Sequence, residues 1–146
     1  MNGRYVSHDT FTIKKIYDAT PATVYAAWAD RKAKTRWFQK PIEFDFQVGG
    51  RETNRGESPE GSVYTFDARY LQIIHEQRIV YAYTMDLEDI RISVSLATVE
   101  FKPTGDSTQL IFTEQGAFLD GYDTSAIREQ GTNTLLNNLG EELRRK

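Results

Sequence analysis

Gln109-Leu-Ile-Phe-Thr-Glu-Gln-Gly116 reads as a strand, Ala117-Phe-Leu-Asp-Gly-Tyr-Asp123 leads the chain off it, and an amphipathic helix over 124–144 follows. Successive strand side chains point to opposite faces, so Leu110, Phe112 and Glu114 share one of them. On the helix, Arg128, Thr132, Leu135, Leu139 and Leu143 fall on one stripe, the side that faces the body of the protein. Arginine is rarely buried without a partner. Glu114 supplies one if strand and helix pack face to face, and the pair then marks the mouth of a cavity.

Upstream, 11–17 has the β-branched and aromatic content of a strand. Thr20 is placed to cap a helix with Pro21 at its first position, and Val24 and Trp28, four apart, form that helix's buried side. Asp30 opens a second, polar helix that ends at Trp37-Phe38, ahead of Pro41. Strand follows strand after that. The segment 43–48 alternates with period two, Gly49-Gly50 turns the chain into a strand beginning near Arg51, and 54–61 is rich in turn formers. Tyr64, Phe66, Ala68 and Tyr70 then share one face, and further strands over 78–85, 90–101 and 109–116 are joined by short turns. Short connections imply antiparallel pairing. The expected architecture is α+β: a strand, two short helices, a meander of about six strands, and a long helix whose apolar stripe lies on one sheet face.

Composition narrows the function classes. The 146 residues predict one domain over 1–146 with a single core. Hydrophobic residues make up 39% and charged residues 27%, and no apolar run approaches the ~20 residues of a membrane span. Met1-Asn-Gly-Arg-Tyr5 lacks the apolar core of a secretory signal, and with no cysteine the default compartment is cytoplasmic. The net charge of −3, with Lys and Arg scattered among acids, argues against a nucleic-acid partner. The basic end, Arg144-Arg-Lys146, suits the negative end of a helix dipole. His8 and His75 are the only histidines, neither HExxH nor paired Cys occurs, and no metal site is expected. No GxGxxG or Walker sequence is present, and Gly56-Glu-Ser-Pro-Glu-Gly61 has the wrong spacing for a nucleophile elbow, so no cofactor is implied.

The separated segments Ala19-Thr-Pro-Ala-Thr-Val-Tyr-Ala-Ala-Trp28, Trp37-Phe38 and Phe46-Gln-Val-Gly-Gly-Arg51 resemble bacterial homologues of the C-terminal domain of the activator of heat-shock-protein-90 ATPase. These belong to the START-like superfamily, also called SRPBCC, with birch-pollen-allergen-like proteins and polyketide cyclases. Phe112-Thr-Glu-Gln-Gly-Ala-Phe-Leu-Asp-Gly-Tyr122, with Arg128-Glu-Gln-Gly-Thr132 and Leu135-Leu-Asn-Asn-Leu139, resembles one subgroup, and the likeness spans about 11–143. The resemblance implies a helix-grip fold, its curved antiparallel sheet wrapped around the last helix with a cavity between them. This scaffold hosts carriers, cyclases, hydrolases and chaperone cofactors, so activity does not follow from it. Eukaryotic activators carry a separate N-terminal chaperone-binding domain, whereas about ten residues precede the first strand here, which argues against a chaperone interaction.

The cavity candidates are Glu114 and Arg128, with Tyr64, Tyr81 and Tyr83 as hydroxyl donors, Phe66 in phase with Tyr64, Trp37 and Phe38 as a lid or a helix anchor, and Thr132 and Leu135 from the helix. In one reading Arg128 binds an anionic or carbonyl-bearing ligand, or Glu114 acts as a general base. In the other, favoured one, the two form a structural pair that sets how the helix sits. Gly131 in mid-helix asks for close packing against a neighbour, the preferred explanation, or for ligand space. The expected function is binding of a small hydrophobic or amphipathic molecule; the alternatives are a cyclase- or hydrolase-type enzyme using Glu114 and a chaperone-interaction module. The exposed edges of the meander offer a route to a homodimer. Arg128→Ala is expected to lose ligand and keep most of its stability.

Overall fold

The computed structural model describes residues 3–145; Met1, Asn2 and Lys146, on which the signal reading and the basic-end reading partly rest, lie outside the described residues. The first strand, β1 (Val6–Tyr17), is followed by α1 (Pro21–Ala29) and α2 (Arg31–Thr35). Both helices start as their sequences predict: the Thr20 hydroxyl accepts from the Thr23 N–H with Pro21 just inside, and an Asp30 carboxylate oxygen accepts from the Ala33 N–H. Val24 and Trp28 are buried at 0% and 3% exposure.

The remaining strands are β2 (Glu43–Phe44), β3 (Arg51–Glu57), β4 (Val63–Ile74), β5 (Arg78–Leu87), β6 (Ile90–Thr104) and β7 (Ser107–Leu119), and α3 (Ser125–Arg144) closes the chain. They form one antiparallel sheet in the order β1-β7-β6-β5-β4-β3-β2. β2 to β7 are the expected meander, and β1 returns to pair with β7 over its whole length, Val6 opposite Leu119 and Tyr17 opposite Thr108. Register shifts at Tyr70/Gln72 and at Met85/Asp86 bend the long central strands and curl the sheet. Among the described residues, no helix is long and apolar enough to cross a membrane.

The inner face carries Ile79, Val99 and Leu110, all fully buried, and α3 lies over it on Leu136 and Leu139. The Tyr17 hydroxyl donates to the Leu136 carbonyl at 2.7 Å, tying the first strand to the middle of the helix. One turn later Gly140 lies against the same ring, where an added Cβ would stand 3.3 Å from a Tyr17 ring carbon. The close-packing glycine of α3 is therefore Gly140. At Gly131 an added Cβ meets nothing within 4 Å, which overturns the packing explanation for it.

Several boundaries differ from the sequence reading. Only Glu43 and Phe44 of 43–48 pair as strand. Beyond them the chain coils on itself, with Gln47 N–H donating to the Asp45 carbonyl and Gly50 N–H to the Gln47 carbonyl. Gly50 is required there because a Cβ would collide with the Asp45 carbonyl oxygen, and Gly49 turns the chain at φ +86°. The turn-rich stretch 54–61 is strand up to Glu57, paired with β4, because its inward residues are polar and hide the alternation. β7 runs on to Leu119, and Gly116 lies inside it under the Phe118 ring rather than at its end. On α3, Leu136 takes the deeply buried position assigned to Leu135, which is half-buried; at about 100° per residue the buried Thr132, Leu136, Leu139 and Gly140 all turn to one side of Arg128, and Leu135 falls to the other.

The two helical glycines separate cleanly by substitution. Gly131→Ala is expected to stabilise the protein by up to ~1 kcal/mol, the propensity difference, because the methyl group meets no neighbour. Gly140→Val is expected to destabilise it by ~1–3 kcal/mol, because the Tyr17 ring is held by its own hydrogen bond and cannot give way. Urea denaturation of the two variants beside the parent reads both signs.

Candidate functional site

The gap between helix and sheet opens where facing residues are small. Ser93, Ser95 and Ala97 alternate inward along β6, Ala68 lies inward on β4, and on α3 the buried Thr132 and the exposed Gly131 border the gap. The resulting cavity has a volume of about 250 Å³. Its walls are Trp28, Trp37, Phe38, Phe66, Tyr81, Tyr83, Met85, Phe112, Leu135 and Leu136, and its polar lining comes from Glu114, Asp123, Arg128 and Thr132. Nine of the ten predicted residues are thus brought together. Tyr64 is not among them: the phase of its strand is as expected, but it sits at the far end of β4 opposite Leu87, beyond the cavity, and is 37% exposed.

Arg128 and Glu114 meet as the sequence suggests, inside a larger network. Arg128 Nη1 donates to the Tyr83 hydroxyl at 2.9 Å and to Glu114 Oε2 at 3.2 Å, while Nη2 donates to Ser93 Oγ and Asp123 Oδ2, both at 2.8 Å. Its planar guanidinium lies 5.6 Å from the Tyr83 ring centre and 5.4 Å from that of Phe118. Gly116 makes the second contact possible, because any side chain there would strike the Phe118 ring. Glu114 Oε2 also accepts from the Tyr83 hydroxyl at 2.7 Å and from Ser95 Oγ at 2.8 Å. Glu114 Oε1 is buried with no hydrogen-bond partner among the described residues.

Burial works against the Arg128 charge, but Tyr83, Glu114 and Asp123 together outweigh it and hold its pKa above the ordinary arginine value. Burial, with the Glu114 charge adding to it, raises the Tyr83 hydroxyl despite the opposing pull of Arg128. Tyr81 is raised first by burial, then by Tyr83 and Glu114. With both terminal nitrogens directed at protein acceptors, Arg128 is a poor anchor for an anionic ligand, which corrects one of the readings above.

The sequence reading missed a second buried ion pair at the other side of the cavity wall. Lys34, 3% exposed, donates to Glu52 Oε1 at 2.6 Å, and the Tyr70 hydroxyl donates to the same oxygen. The Lys34 ammonium stands 4.7 Å from the Phe38 ring centre and 5.3 Å from that of Trp28. It fixes α2, and with it Trp37 and Phe38. Trp37 Nε1 donates to the Ala27 carbonyl at 2.9 Å, so Trp37 anchors a helix end and lines the cavity at once. Ser93, Ser95, Trp28 and Asp123 were also missed; the period-two row of small residues on β6 was the available signal.

Two consequences can be measured. Arg128→Ala is expected to cost ~3–5 kcal/mol in urea denaturation, because it leaves the buried Glu114 and the largely buried Asp123 without the cation they share; the earlier expectation of retained stability is revised accordingly. Tyr17, Tyr70, Tyr81 and Tyr83 are all raised, chiefly by burial. In the unfolded chain a tyrosine ionises near pH ~10. Their contribution to stability is therefore whole below that pH and lost as pH rises above it. Tyrosinate absorbance and near-UV circular dichroism, followed together, are expected to show these four ionising only as tertiary structure is lost.

Comparison with known proteins agrees with this geometry. The family model described as Activator of Hsp90 ATPase homolog 1-like protein matches residues 18–144. A solved structure from Rhizobium leguminosarum is 39% identical, with TM-score 0.93, covering 99% of this chain and 100% of that one. One from Rhizobium loti is 42% identical, with TM-score 0.89, over 94% of this chain and 99% of that one. One from Chromobacterium violaceum, at 22% identity and TM-score 0.80, covers 94% and 98% and shares the fold. No curated protein matches. A curved antiparallel sheet gripping a C-terminal helix, matched along nearly its whole length by that model, places the chain in the START-like family of Activator of Hsp90 ATPase homolog 1-like proteins.

Proposed function

We propose that this chain binds a small hydrophobic or amphipathic molecule in the cavity between α3 and the sheet, as a protein of the cytoplasm. The observation that carries the reading is the cavity itself. Protein interiors pack to the density of organic crystals, yet about 250 Å³ is kept open here between aromatic walls. A volume below the ~300–1,000 Å³ usual for drug-sized ligands points to a small molecule. The polar groups gather at one end, which suits a ligand with an apolar body and a polar head.

A second reading rests on Glu114 Oε1, a buried carboxylate oxygen left over in a residue that lines the cavity. It suits an acid or base in a cyclase- or hydrolase-type reaction. Turnover of the bound molecule would favour that reading over carriage. Stimulation of a chaperone ATPase enters only through the family's name.

Native mass spectrometry of protein purified from its own host tests the binding. The parent is expected to carry a small molecule that Thr132→Phe, which directs a ring into the cavity, does not. A parent that is bare and takes up no apolar probe would remove the reading.

A further inference from the structure

We propose that the cavity selects a cation: a small amine whose ammonium group sits against Glu114 and whose apolar body fills the aromatic walls. This rests on the binding role proposed above and adds the ligand's charge.

Charge balance is the first support. The ionisable acids and bases among the lining residues are Glu114, Asp123 and Arg128, two carboxylates against one guanidinium, which leaves one negative charge uncompensated. The nearby Lys34 is already matched by Glu52. In a water-poor site a net charge is felt far more strongly than at the surface, and it favours a ligand that cancels it.

Hydrogen-bond valence gives the second support. Glu114 Oε2 receives three donors, Tyr83, Ser95 and Arg128, while Oε1 receives nothing among the described residues. What is lacking is a donor. Arg128, the only cation of the lining, already directs Nη1 and Nη2 at four protein acceptors. An anion entering here would find the carboxylates and no terminal guanidinium nitrogen to spare.

The aromatic lining supplies the third. Trp37, Phe38, Phe66 and Tyr81 are among the lining residues, and the faces of aromatic rings attract cations. The chain already uses this chemistry twice beside the cavity, with Lys34 over Phe38 and Arg128 over Tyr83 and Phe118. The volume takes one ring with a short chain more readily than a lipid or a polycycle.

Calorimetric titration with three probes of one shape, phenethylamine, phenethyl alcohol and hydrocinnamate, separates the charges. On the intact chain the amine is expected to bind at least about tenfold more tightly than the alcohol, the worth of a hydrogen bond to a charged group, with hydrocinnamate weakest. Thr132→Phe is expected to abolish all binding, and Glu114→Gln to bring amine and alcohol together. If the alcohol or hydrocinnamate equals the amine, and Thr132→Phe still abolishes binding, the cavity stands as a binding site and its choice of cations is refuted. If none of the probes binds, and toluene does not bind either, both proposals fall. The wild-type ranking decides the matter even if Glu114→Gln does not fold.

Discussion

A guanidinium removed from water must be surrounded by acceptors, and meeting that need at Arg128 draws on four separate pieces of this chain. Tyr83 comes from β5, Ser93 from β6, Glu114 from β7 and Asp123 from the loop before α3. The hydrophobic contacts of α3 hold it on the sheet without saying which way it lies, because burial is proportional to area and indifferent to direction. Arg128 supplies the direction. Farther along the helix the Tyr17 hydroxyl and Gly140 fix its approach, so the helix is held at two separate points.

The opposite wall repeats this logic with lysine. Lys34 is buried against Glu52 and Tyr70 beneath Phe38 and Trp28, and it brings a five-residue helix, too short to be stable alone, into a fixed place. Two buried pairs thus flank one apolar gap. Neither adds much net stability over a hydrophobic replacement, since desolvation offsets most of the attraction between buried charges. Each makes its wall costly to displace, because either partner alone would be left charged and dry.

The fold was legible wherever sequence periodicity and capping agreed. Thr20-Pro21, Asp30 and the alternation over 64–70 gave their elements directly, and the six-strand meander followed from short connections. Reading failed where inward positions are polar. Glu52 and Asn54 face the interior of β3, so that strand shows no apolar alternation, and Lys34 on a helix of charged residues looks solvated. The Arg128–Glu114 pair was legible because each residue stood out against an apolar row. Asp123 was not, because an aspartate near a turn is unremarkable until the fold shows what it faces, and Ser93 and Ser95 show in the sequence only as a period-two row of small residues on β6. Tyr64 erred differently: its side of the strand was right, but how far the cavity reaches along a strand is not a property of the strand.

Gly131 leaves the molecule with an adjustable dimension. A side chain at a core position must fit its neighbours, so changing one forces changes in others; Gly131 is exposed, and no neighbour stands within 4 Å of an added methyl group. Gly131 also borders the cavity, so a larger residue there would add bulk at the cavity's exposed edge while the Arg128 and Lys34 pairs keep both walls in place. Bulk at that edge can therefore change without a compensating change elsewhere, because no side chain of either buried pair comes within 4 Å of the added methyl group.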